Sequence, residues 1–95
     1  MPEIIAFDWD DGNGLKNSKH GVSRAEAEEV FFNRPLLLVD SNHSEREPRY
    51  HALGETREAR RLHITYTLRA NCTLIRVISA RDMHRKERAV YDQAD

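Results

Sequence analysis

A chain of 95 residues is long enough to bury a modest core and too short to divide into several domains, so residues 1–95 are expected to form one unit. At 33% charged and 39% hydrophobic residues the composition is globular rather than disordered, and no apolar run approaches the ~20 residues that cross a bilayer. The net charge of −1 hides a segregation: residues 1–13 hold Glu3, Asp8, Asp10 and Asp11 for −4, whereas residues 60–88 carry +6, a balance that excludes a uniformly basic protein and suggests a surface turned toward a polyanion.

In chain order, IIAFD (4–8) predicts a short first strand. NGLKNSKH (13–20) predicts a polar helix closed by Gly21, a natural left-handed residue after a helix end, with Asp10 as its N-terminal cap. Ser23-Arg-Ala-Glu26 is a capping box, in which the Ser23 hydroxyl and the Glu26 carboxylate each take the other's backbone amide. Ala27, Val30 and Phe31 then form one face of a helix ending near Asn33 and Pro35. Leu36 to Asp40 predicts a buried strand, 41–48 a loop, and Arg49 to Leu53 a further strand. RRLHITYTL (60–68) alternates, with Leu62, Ile64, Tyr66 and Leu68 on one face and His63, Thr65 and Thr67 on the other. TLIRVIS (73–79) is apolar on both faces except at Arg76, as in a central strand. A last helix is expected from Asp82 to about Gln93, with Arg81, Arg85 and Arg88 as a cationic stripe at its start. Strands that follow one another through short turns favour an antiparallel sheet, so the predicted fold is α+β: about five antiparallel strands, two N-terminal helices and one C-terminal helix.

The opening MPEIIAFDWDDG has no basic segment ahead of a long apolar one, and Cys72 is the single cysteine; both fit a cytoplasmic chain. Cys72, between Asn71 and Thr73, reads as part of a turn. Phe7, Trp9, Phe31 and Phe32 offer π faces for bases, yet their spacing suits core better.

FDWDDGNGLKNSKHGVSRAEAEEVFFN (7–33) resembles the opening of BrnT-type toxins, and VDSNHSEREPRYHALGET (39–56), YTLR (66–69) and IRVISARDMHRKERAVY (75–91) continue the resemblance in order over almost the whole chain. It implies a small RelE-like domain and a ribonuclease toxin of a type II toxin–antitoxin pair that inhibits translation by cutting RNA. It further implies neutralisation by a BrnA-like antitoxin, and contact with operator DNA only through that antitoxin. A non-catalytic module that binds nucleic acid or antitoxin and contributes to operon repression is the alternative.

Cleaving RNA without a metal requires a base for the 2′-OH, cations for the charge gathering at phosphorus and an acid for the leaving oxygen. The sequence has no H-E-x-x-H, no Cys/His cluster and no glycine-rich phosphate loop, so neither a metal nor a cofactor is expected. Arginine grips phosphate bidentately and stays protonated, which nominates Arg49, Arg69 and Arg81 for the site, with Arg85 and Arg88 as RNA contacts. Arg76 either contacts RNA or pairs with the acidic N-terminal segment. Glu47 orients Arg49, acts as base, or stays a solvated carboxylate. Lys19 stabilises the transition state, acts as base, or only complements a helix dipole, and His20 is an acid or base or fixes the helix end. His43, His51, His63 and His84 read as surface or supporting residues, His63 as structural.

Overall fold

The computed structural model describes residues 4–18, 20–40 and 47–94, with the backbone alone over 15–18. Five strands and three helices run β1 (Ala6–Phe7), α1 (Asp11–Ser18), α2 (Arg24–Phe31), β2 (Leu36–Asp40), β3 (Arg49–Glu55), β4 (Arg61–Arg69), β5 (Leu74–Asp82) and α3 (Arg85–Gln93). This is the α+β arrangement expected. The strands form one sheet in the order β1-β5-β4-β3-β2. From β2 to β5 the pairing is antiparallel, but β1 lies parallel to β5, with Ala6 beside Leu74. The sheet is therefore mixed where an antiparallel one was predicted. No hairpin joins β1 to β5, since two helices and three strands intervene, so no turn dictates its direction.

The helix starts follow their local chemistry. Asp10 and Asn13 cap α1 reciprocally, Asn13 N donating to Asp10 Oδ1 (3.1 Å) and Asp10 N to Asn13 Oδ1 (2.8 Å). Asn13 is itself buried, its amide donating to the carbonyls of Asp8 and Val77 (3.0 Å each). Gly21 follows α1 at φ +69°. The capping box of α2 is formed, with both Ser23–Glu26 bonds at 3.0 Å. Arg60 then ties that helix start to the sheet: it donates to the Gly21 carbonyl (2.8 Å) and pairs with Glu26 (3.2 Å) and Asp82 (2.8 Å).

Residues paired across neighbouring strands point to the same side of a sheet. On one side Ala52, Leu62, Ile64, Tyr66, Ile75, Val77 and Ala80 meet Val22, Ala27 and Val30, and this is the core. Leu62 and Ile64 are fully buried, each stabilising the fold by about 1.5–3 kcal/mol. Phe31 closes its edge with an edge-on contact to Tyr66 (5.0 Å) and a tilted one to Phe7 (5.6 Å), so these aromatics are core; Phe32 is exposed. A Cβ on Gly54 would come 2.9 Å from Val30 Cγ1, so α2 rests on bare backbone of β3.

Three local expectations change. β2 is an edge strand, and Leu37 and Val39 are 56% and 71% exposed rather than buried, because the sheet ends there. β5 runs to Asp82 and α3 begins at Arg85, so Arg81 is a strand residue and does not share a helix face with Arg85 and Arg88. The cross-strand pairing of His63 with Arg81 extends the strand past the point where the apolar pattern stops. Finally, β5 contains a bulge. Tyr66 pairs with Val77 and Thr65 with Ser79, which leaves Ile78 as a surplus residue.

Candidate functional site

The side of the sheet away from α1 and α2 is polar. Its register puts side chains in rows running across the strands: Asp40, Arg49, Thr67 and Arg76; then Leu38, His51, Thr65 and Ser79; then Leu53, His63 and Arg81. Strand alternation alone would send Arg76 and Arg81, five residues apart, to opposite sides. The surplus Ile78 restores them to the same side. α3 crosses this side at the Arg81 end without burying any residue of its own. It is held by polar contacts, Glu87 to Arg81, Asp92 to Arg61 (3.0 Å) and the Tyr91 hydroxyl donating to Glu55 (3.4 Å).

Arg81 donates two parallel bonds to Glu87, both 2.8 Å, and a third to the Asp82 carbonyl. Burial would raise the Glu87 carboxyl, but the Arg81 bonds, the His84 amide (2.8 Å) and the nearby positive charge outweigh it and hold it at about 2. His63 lies 3.8 Å from Glu87, and burial pushes its imidazole down to about 4. Its Nδ1 is buried without a hydrogen-bond partner. His51 stacks on His63 at 4.8 Å between ring centres. The Nε2 of His51 meets Asp40 Oδ2 at 3.0 Å and its Nδ1 meets the Thr65 hydroxyl at 3.2 Å. Between α3 and the sheet runs a groove of about 380 Å³ lined by Leu38, His51, Leu53, His63, Arg81, Lys86, Glu87 and Val90.

The candidates read from sequence are distributed along this side. Arg49 lies one row from His51. Arg69 is six residues along β4 from His63, the partner of Arg81, so Arg69 and Arg81 stand about 20 Å apart and cannot grip one phosphate. Glu47, two residues ahead of β3, pairs with Arg69 at the end of β4 (3.2 Å). Arg76 takes the acidic partners that its sequence allowed, Asp8 (3.3 Å) and Asp10 (2.9 Å). The Asn13 amide, ahead of the Arg76 guanidinium, holds the Asp10 carboxyl below its ordinary value. Arg85 and Arg88 are exposed on α3, Arg88 donating to the Met83 carbonyl (3.1 Å). His20 is exposed beside Gly21, its carbonyl 3.5 Å from Arg60 Nη2, at the Asp82 end of the sheet. Lys19 lies outside the described residues.

The cluster Asp40–His51–His63–Glu87 was not singled out from the sequence. Its members come from three strands and a helix, so only the register brings them together. A histidine two residues beyond Arg49 in an extended segment was the one available signal. Cys72 is exposed in the β4–β5 turn, where Ala70, Asn71 and Cys72 all have positive φ. On the core side a second, apolar groove of about 910 Å³ runs past Ile5, Phe7, Phe32, Leu37 and Tyr50. Among the described residues no helix is long and apolar enough to cross a membrane.

The comparison with curated proteins gives no match. A family described as the ribonuclease toxin BrnT of type II toxin–antitoxin systems matches residues 9–87, which take in both caps, all the strands from β2 to β5 and the Arg81–Glu87 pair, and the chain belongs to that family.

Proposed function

We propose that this ribonuclease toxin cuts RNA endonucleolytically and without a metal on the polar side of its sheet, thereby inhibiting translation in the cytoplasm. The observation that supports this most is the register, which gathers guanidinium groups and imidazoles on one side of the sheet. In this reading Arg81 stabilises charge at the scissile phosphate once the substrate displaces part of its pairing with Glu87. Arg49 and Arg69, with Glu47 beside Arg69, hold neighbouring phosphates, and Arg85 and Arg88 extend the track. Lys19 and His20 remain candidates for charge stabilisation and proton transfer. The antitoxin partner is proposed to be BrnA-like, to cover this surface, and to be the toxin's only link to operator DNA. The 95 residues are proposed to act as one unit.

RNA should be degraded by the purified toxin in EDTA, and Arg81→Ala should lower the rate by about 10²–10³-fold, the scale of losing one transition-state donor. Intact RNA in EDTA with cleavage restored by Mg²⁺ would overturn the metal-free reading. A non-catalytic binding module is the second reading, favoured by the neutralisation of Arg76 by Asp8 and Asp10 and of Arg81 by Glu87. Expression of the chain without antitoxin separates the two, since growth arrest relieved by Arg81→Ala requires cleavage.

A further inference from the structure

We infer that His51 is the base that takes the 2′-hydroxyl proton of the RNA, with Asp40 as the residue that positions it. The inference rests on the metal-free cleavage proposed above. His51 sits in the middle row of the polar side, between the row of Arg49 and the row of Arg81, and its side chain is 25% exposed and borders the groove under α3. Asp40, itself only 9% exposed, accepts from His51 Nε2, which places the lone pair of the neutral ring on Nδ1. That nitrogen is met by a hydroxyl, the Thr65 Oγ1 at 3.2 Å, so the site already accommodates an O–H donor there. His63 stacks against the ring and fixes its plane. A carboxylate, an imidazole and a hydroxyl in line form the arrangement in which an imidazole draws a proton from an alcohol.

In the inferred step the ribose 2′-OH takes the place of the Thr65 hydroxyl at Nδ1. Its proton passes to His51, the 2′-oxygen bonds to phosphorus, and the bond from phosphorus to the 5′-oxygen breaks. The 5′-oxygen takes a proton from water, and the hydroxide so formed takes back the proton held on His51, leaving a 2′,3′-cyclic phosphate, a 5′-hydroxyl and the neutral imidazole. The charged and titratable groups facing His51 are Asp40 from β2, Arg49 on its own strand, His63 from β4, Arg81 from β5, and Lys86 and Glu87 from α3. They include three cations that attract the phosphate and two carboxylates that hold a histidine or an arginine.

The test is RNA cleavage in EDTA over a range of pH by the wild type, His51→Gln and Asp40→Asn, with end-group analysis of the products. The wild type should leave 2′,3′-cyclic phosphate ends. His51→Gln should lose about 10²–10⁴-fold in kcat with little change in KM, and should no longer show the fall in rate on the acid side. Asp40→Asn should lose less and should shift the acid limb to lower pH. If the wild type cuts and both variants cut at its rate with its pH profile, the assignment of His51 fails while the function stands. Products ending in a 3′-hydroxyl overturn the inferred step even if His51→Gln is slow. RNA left intact by the wild type overturns the function and this inference together. Should His51→Gln fail to fold, Asp40→Asn alone still decides through the direction of its pH shift.

Discussion

His63 is 8% exposed with its Nδ1 unpartnered, and burial is what lowers its imidazole from an ordinary 6.5 to about 4. The unfolded chain therefore binds a proton at higher pH than the folded one does. Stability is fully present above about pH 6.5 and falls as the pH drops toward 4, by about 3 kcal/mol over that window. Glu87 acts lower down: its carboxyl, held at about 2, contributes stability above pH 4.5 that is lost as pH falls toward 2. His63→Leu should flatten the stability curve between pH 6.5 and 4, read from urea melts at several pH values, and leave the steeper loss below pH 4.5. An unchanged slope between 6.5 and 4 would mean that His63 does not titrate with unfolding.

At the scale of elements, local chemistry was legible wherever a few consecutive residues settled the matter. The Ser23–Glu26 box, the Gly21 stop and the alternation of β4 all appear in the structure as their sequences predict. Relations between distant segments were not legible. The parallel β1, the exposure of β2 and the gathering of Asp40, His51 and His63 depend on which strand lies beside which, and no local pattern encodes strand order. Gly54 shows the same limit, because nothing near it in sequence announces that Val30 will lie against its backbone. Gly54→Ala should destabilise the protein by about 1–3 kcal/mol through forced separation of α2 from β3, lowering the urea midpoint at an unchanged m-value. A midpoint equal to wild type would show that α2 can move aside freely.

Across the whole molecule, a net charge of −1 coexists with arginines spread over the polar side, several of them already paired with carboxylates there. Asp8 and Asp10 sit on Arg76, Asp82 and Glu26 on Arg60, and Glu87 on Arg81, while Arg85 and Arg88 stand exposed on α3. RNA binding should consequently weaken with added salt despite the acidic total. For a 2′-O-methyl oligonucleotide, which binds without being cut, the slope of log K against log salt should become shallower by about 0.7 in Arg85→Ala. A slope identical to wild type would remove Arg85 from the RNA track. The two segments that the sequence segregates by charge meet in the fold, where Asp8 and Asp10 pair with Arg76, and the partners of each arginine became visible only there.

Ile78, the surplus residue of β5, gives the distance between Arg76 and Arg81 a meaning that letters alone do not convey. An odd interval in the chain behaves as an even one in the ladder. Were Ile78 paired like its neighbours, with no bulge, alternation would turn Arg81 inward beneath α2 and Ala80 outward, with every side chain still present in the sequence. The spacing between two arginines in this sense decides which side of the sheet each one faces, as much as their residue type decides what they can do there. Related chains are best compared by counting rungs of the sheet rather than residues.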